Sequence, residues 1–195
     1  YNCVAEAYNP VHPQVLQAAG ILIECLVHKG DLYDAERFAQ VTLDSLKDPA
    51  NGIDQQSEAV AVGYFNLGNV IEEQKGDLVR AEMLARESLR IRAQLHGIDH
   101  HHTGESIGLL AGILRKQGNL GVEVKELFER SLAIYIKDEG SDGVNTSIGN
   151  TNLGHFHQEL AVTCSFAEER KEHLRLSKSY YTGALRINTK IFGLA

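Results

Sequence analysis

GDLVRAEMLARESL, residues 76–89, decides how this chain folds. Its opening Gly-Asp pair is a helix stop followed by a helix start. Gly accepts positive φ where one helix ends, and the Asp carboxylate can hold the free amides of the next. The same frame returns as GDLYDAERFAQVTL, residues 30–43, and as GNLGVEVKELFERSL, residues 118–132, with one extra residue. Each copy places a small or branched apolar residue (Ala35, Ala81, Val124) eight positions before a Leu (Leu43, Leu89, Leu132). A small hydroxyl residue, Thr42, Ser88 or Ser131, stands just before that Leu. A weaker fourth copy, SKSYYTGALRI, residues 177–187, ends in Ala184 and Leu185.

Behind the first pair, Leu32, Ala35, Phe38, Ala39, Thr42, Leu43 and Leu46 recur at spacings of three and four, the signature of one apolar helical face. Upstream of the turns lie further helical stretches: PQVLQAAGILIECLVHK, AVAVGYFNLGNVIEEQK, SIGLLAGILRKQ and SIGNTNLGHFHQELAV. The unit is therefore helix A, a tight turn, then helix B. Gly30, Gly76 and Gly118 are expected at positive φ, with Asp31, Asp77 and Asn119 as the caps of helix B. Such units stack into an all-α solenoid of antiparallel helix-turn-helix repeats.

Composition agrees. The 195 residues are 43% hydrophobic and 23% charged, which suits a folded chain, and Pro occurs only 3 times. With 19 Lys and Arg against 26 Asp and Glu, the formal charge is −7. That balance disfavours nucleic acid and anionic membrane as partners. No apolar run reaches the roughly 20 residues of a membrane helix, so no membrane insertion is expected. The opening residues do not read as a signal peptide. Cys3, Cys25 and Cys164 form no CxxC pair. They read as free thiols in a reducing compartment, cytosol or nucleus, and the expected location is cytoplasmic.

No nucleophile elbow, phosphate-binding loop, dinucleotide fingerprint or HExxH zinc motif occurs, so no catalytic residue and no cofactor are expected. His96, His100, His101 and His102 cluster in a link between repeats. Three adjacent histidines cannot all face one ion, so His100 or His101 is read as a link residue and no metal is assigned. His155 and His157 are two apart on helix A of repeat four and point to different faces. Phe38, Phe128 and Tyr181 sit on helix B faces and read as core. One of Tyr180 and Tyr181 should reach the surface.

The pattern resembles the tetratricopeptide repeat (TPR). The match runs through Leu67-Gly68 in helix A, the Gly turn, and Ala81, Ser88 and Leu89 in helix B. Leu153-Gly154 repeats the pair. The period exceeds the roughly 34 residues of the simple repeat: 46 residues separate Ala35 from Ala81, and 43 separate Ala81 from Val124. RIRAQLHGIDHHHTG looks like the link of kinesin-light-chain-type repeats, in which helix B runs into Leu-Gly-x-x-His-Pro. His12-Pro13 matches that link directly, and HGIDHH matches it without the Pro. Three departures stand out. Lys75 is one residue more than helix A of repeat two should carry. Gly121-Val122 interrupts the start of helix B in repeat three. About ten residues around TCSFAEERKEHLRL are inserted in repeat four, as longer helices or as a protruding loop.

The expected organisation is a single array over 1–195. Residues 1–11 end a preceding helix B and its link. Repeats follow at 12–50, 57–99, 102–141 and 145–192, the last with the insertion. Both ends look cut from a longer array, so the chain is expected to be part of a bigger protein.

The resemblance implies a right-handed superhelix whose concave groove is lined by helix A. Carried over residue by residue, the groove positions are Gln17, Glu24 and His28 in repeat one, then Phe65, Asn69, Glu72 and Glu73 in repeat two. They continue as Glu105, Arg115 and Lys116 in repeat three, and Thr151, His155, Gln158 and Glu159 in repeat four. Asn69 offers both a donor and an acceptor to an extended peptide. Arg115 and Lys116 stand nearly alone among carboxylates, so no clamp for the acidic tails of chaperones is expected. The implied function is a non-catalytic module that binds a peptide or protein segment of mixed or basic character, as in cargo or adaptor recognition. The alternatives are a structural spacer array, self-associating through its ends, and a sensor arm of a larger signalling protein.

Overall fold

The computed structural model describes residues 11–193. The expectations for residues 1–10 and for the last two residues of the C-terminal KIFGLA link lie outside them. Among the described residues there are eight α-helices and no strand: α1 (Pro13–Lys29), α2 (Leu32–Lys47), α3 (Glu58–Gln74), α4 (Leu78–His96), α5 (His101–Lys116), α6 (Val122–Glu139), α7 (Val144–Thr163) and α8 (Ala167–Phe192). A short 3-10 turn, Pro49–Asn51, follows α2. The helices form two compact units, the first ending at Gly97 and the second beginning at Ile98. Within each unit every helix packs on the one before and the one after it. In addition α1 touches α3, and α5 touches α7.

The three turns share one hydrogen-bond pattern. The amide of a left-handed residue bonds back to the third carbonyl before it, and the next amide reaches the fifth before itself. Gly30 bonds to Val27 and Asp31 to Leu26; Gly118 bonds to Arg115 and Asn119 to Leu114. In the middle turn Lys75 bonds to Glu72 and Gly76 to Ile71, so Lys75 holds the left-handed place at φ 54 and Gly76 does not. The extra residue of helix A thus moves the turn one step ahead of its glycine. The caps also differ from expectation. Asp77 does cap, accepting from the Arg80 amide at 3.0 Å. Asp31 stands at the cap position of α2, but its carboxylate is held by Lys29 at 2.6 Å. Gly121, not Asn119, is the cap residue of α6, and Asn119 Oδ1 instead accepts from the Gly121 amide at 3.0 Å. The two histidine links are alike. His12 Nδ1 accepts from the Gln14 amide and His100 Nδ1 from the His102 amide, each at 3.3 Å, at the starts of α1 and α5.

Ala35, Ala81 and Val124, equivalent by sequence, are all fully buried. The first unit centres on Val11, Leu46, Val60, Ala61 and Ile91. In the second, Phe128 packs against Phe156 with ring centroids 6.0 Å apart, and Leu153 and Ile113 are also buried. Full burial of such a side chain contributes about 1.5–3 kcal/mol. Phe38 departs from the core reading and is 37% exposed. The buried line of α2 is Ala35, Ala39, Leu43 and Leu46, and Phe38 falls beside it. It borders a shallow apolar hollow with Val15 and Leu22 of α1.

In the second unit small residues set the helix spacing. Ser131 Oγ of α6 donates to the Gly104 carbonyl of α5, and Ser177 Oγ of α8 to the Gly154 carbonyl of α7, both at 2.9 Å. At Gly154 a Cβ would lie 2.7 Å from the Tyr181 ring, so only glycine admits that ring. The insertion of repeat four is helix rather than loop. α8 has 26 residues where α6 has 18, and α7 has 20 where α5 has 16. Only Cys164, Ser165 and Phe166 join α7 to α8.

Candidate functional site

The groove positions divide between the two units. In the first, Gln17 and Glu24 of α1 are exposed, and so is His28, whose Nδ1 lies 3.0 Å from the Glu24 carbonyl of its own helix. Phe65 is half-buried beneath the Arg92 guanidinium, 5.0 Å from its ring centre. Arg92 itself is buried and bonds Glu58 at 3.1 Å, so this stack is part of the α3–α4 packing. Asn69 is half-buried, Glu73 exposed and Glu72 buried. Asn69 and Glu73 are therefore the repeat-two positions whose polar groups stay accessible. Beside them, Gln17 and Asn66 flank a largely apolar hollow of about 480 Å³ between α1 and α3.

The second unit brings its residues together. Thr151, His155, Gln158 and Glu159 follow one another at helical spacing along α7. Thr151 folds its hydroxyl back onto the Ser147 carbonyl at 2.9 Å. Glu159 forms an ion pair with Arg115, which reaches across from the end of α5. His155 Nδ1 lies 2.7 Å from the Tyr181 hydroxyl, which in turn donates to Gln158 Oε1 at 2.9 Å. If Tyr181 donates to Gln158, His155 must carry its proton on Nδ1 and donate to the phenol oxygen. The His155 and Tyr181 rings meet edge to face, 5.3 Å apart. Partial burial and then the neighbouring Arg115 charge hold the His155 imidazole below its ordinary pKa, with Lys116 acting in the same direction and Glu159 against it. Burial pushes the Tyr181 phenol up. At neutral pH the face thus offers a neutral imidazole, a phenol, an amide and one cation already matched to a carboxylate.

Glu105 lies apart from this face. It is half-buried at the start of α5 and takes His101 at 3.4 Å and His102 at 3.3 Å. His101 also reaches Asp138 of α6 at 3.0 Å and packs on Tyr135. Among the described residues no group of three His, Cys, Asp or Glu side chains could hold a metal ion. No helix among them is long and apolar enough to cross a membrane.

Tyr181, expected in the core, is half-buried and bonds His155 and Gln158 across Gly154. The available signal was Gly154, whose missing Cβ leaves room for a ring above α7. The sequence reading did not pair His157 with His173. His157 is buried on the opposite side of α7 from His155, with its Nδ1 3.1 Å from His173 Nδ1 of α8.

Comparison with known proteins agrees with this architecture. The tetratricopeptide repeat family model matches residues 59–137. Among solved structures, BtubC (BKLC) from P. vanneervenii is similar, with a TM-score of 0.66 at 19% identity over 92% of this chain; the chain spans 65% of that protein's length. Two structures of nearly identical kinesin-light-chain TPR-like repeats from Podosopora anserina align with TM-scores of 0.60 and 0.58, both at 18% identity over 92% of this chain. They are covered over 77% and 78% of their own lengths. At these identities the likeness is one of fold. No curated protein sequence matches the chain. TPR repeats are generally protein-interaction modules and non-enzymatic scaffolds.

Proposed function

We propose that this chain, whose residues 59–137 match the tetratricopeptide repeat family model, is a non-catalytic module that binds an extended peptide or protein segment of mixed or basic charge. The Arg115–Glu159 and His155–Tyr181–Gln158 face of the second unit is its main contact. The observation that supports this reading is the side-by-side placement of His155, Gln158 and Glu159 on α7, met by Arg115 from α5 and Tyr181 from α8. They supply donors and acceptors without an unmatched charge, which suits a peptide backbone better than a phosphate or a carboxylate tail. In the first unit Asn69 and Glu73 are a separate candidate contact, with the carboxylate favouring cationic side chains. Cargo or adaptor recognition in the cytoplasm is the role this module fits.

The test is a pull-down from lysate with the wild-type chain, Asn69→Ala, Arg115→Glu and the double variant, read by mass spectrometry. Partners lost with Arg115→Glu support the α7 face; partners lost only with Asn69→Ala assign binding to the first unit. Identical partner sets for all four proteins overturn the reading. A spacer or assembly array is then favoured by the α8 surface, where Leu174 and Leu185 are 52% and 66% exposed beside Tyr181. Light scattering across a concentration series reads self-association directly.

A further inference from the structure

His157 occupies a place that apolar residues hold elsewhere. It follows Leu153-Gly154 at the interval by which Ile71 follows Leu67-Gly68, and Ile71 is buried. His157 is only 2% exposed. Its ring stacks on Tyr180 at 5° and 5.7 Å, and on His173 at 26° and 5.3 Å. Its Nδ1 faces His173 Nδ1 at 3.1 Å, and its Nε2 is buried without a hydrogen-bond partner. The groups around it are Lys125 and Glu129 on α6 and Glu172, His173 and Tyr180 on α8. Lys125 and Glu129 lie 3.1 Å apart and offset one another. Glu172 is held by Arg175 at 2.7 Å. No carboxylate therefore bonds the imidazole directly.

We propose that the His157–His173 pair is an acid-released clasp that fastens the first turns of α8 to the end of α7. The proton count sets its behaviour. The neutral pair needs one proton on the facing Nδ1 atoms, donated by one ring and accepted by the other. A further proton can sit on the outer nitrogen of half-buried His173 and keep that bond. A second puts N–H against N–H at 3.1 Å and forces the rings apart. Burial supports the same direction by holding His157 below its ordinary pKa. The sign follows from linkage: below about pH 6.5 the unfolded or undocked ring binds a proton that the docked ring refuses. Docking is complete above that pH and weakens as the pH falls towards the lowered value of the docked ring. The segment released, residues 167–176, is the part of α8 that the insertion adds, and most of it is exposed.

Hydrogen exchange of the whole chain tests this, with rates corrected for the intrinsic pH dependence. From pH 7.5 to 5.5, amides of residues 167–176 should exchange at least tenfold faster in the wild type, while those of 180–190 keep their protection. His157→Leu, which restores an apolar residue, should remove the pH response of this segment. His173→Gln, which still hydrogen-bonds His157 but cannot titrate, should blunt it and serves if the leucine variant does not fold. Equal protection at both pH values in the wild type, or an undiminished response in the variants, overturns the clasp. Neither result depends on the proposed partner-binding function.

Discussion

At the scale of single residues, the α7 face rests on one absence and one charge. The absence is the Cβ of Gly154. Alanine there would meet the Tyr181 ring at 2.7–2.8 Å, closer than real contacts allow. The ring must then swing off His155 and Gln158. Overpacking costs about 1–3 kcal/mol, and the helix propensity of Ala returns up to about 1. Gly154→Ala should therefore destabilise the second unit by about 1 kcal/mol in urea unfolding. In a Tyr181→Ala background the clash is gone, so the same change should stabilise. Failure of the sign to flip would mean the ring does not rest on Gly154. The charge is Arg115. It depresses the His155 pKa after burial does, and it is paired with Glu159, which acts oppositely. Arg115→Gln removes the first influence and frees the second. The His155 Cε1–H titration followed by NMR should move upwards, while burial keeps it below the ordinary 6.5. An unchanged titration would place Arg115 away from His155. Both features were half legible in sequence. Arg115, His155 and Gln158 follow from the groove positions that the family resemblance implies. Tyr181 does not, because period alone cannot say whether an aromatic on helix B points inwards or across a glycine.

At the scale of elements, the turns explain what the repeated Gly-Asp pair hides. All three use the same two backbone bonds, but the cap residue of helix B follows the left-handed residue by one, two and three positions in succession, at Asp31, Asp77 and Gly121. Sequence alignment by the glycine alone therefore misplaces the middle turn. Hydrogen bonding, not residue type, decides which position is left-handed, and there it falls on Lys75. Lys75 is the only non-glycine residue at positive φ among those described. An L-residue in that conformation costs about 1–2 kcal/mol, partly offset on replacement by the larger chain entropy of unfolded glycine. Lys75→Gly should raise stability by about 0.5–1 kcal/mol, read as a later urea midpoint at unchanged slope. A loss of stability would mean that the Lys75 side chain makes a contact worth more than the strain. The fourth repeat shows the complementary limit. Its surplus of residues was countable in the sequence, but its form was not. A charged run such as EERKEHLR suits a solvated helix as well as a loop. What decides for helix is the pairing of its inward residues, His173 and Ser177, with α7.

For the whole molecule, the division at Gly97 had no local signal, since GIDHH reads like any other link. It reflects how contacts concentrate on either side, which no single motif encodes. Charge is the property that composition does carry to this scale. The formal −7 understates how little free cation the surface holds, because Arg80, Arg130, Arg175, Arg186 and Lys190 already face carboxylates. At Asp142, hydrogen bonds from Lys190 and then Arg186 hold the carboxyl below its usual range, so those two cations are engaged across the pH range of ordinary buffers. A polyanion would have to break such pairs, and few unpaired cations remain to displace its counterions. No mobility shift of duplex DNA is therefore expected at about 10 µM chain in about 0.15 M salt. A shift under those conditions would refute the charge argument. The converse holds for partners. A segment that docks here meets an acidic field, so it must bring cations of its own or bind through neutral hydrogen bonds. Capture of a cationic partner should weaken as salt rises from about 0.05 to about 0.5 M, because long-range attraction is screened over a few ångströms at the upper end. If capture instead stays constant across that range, the neutral His155–Tyr181–Gln158 contacts govern recognition rather than the acidic field.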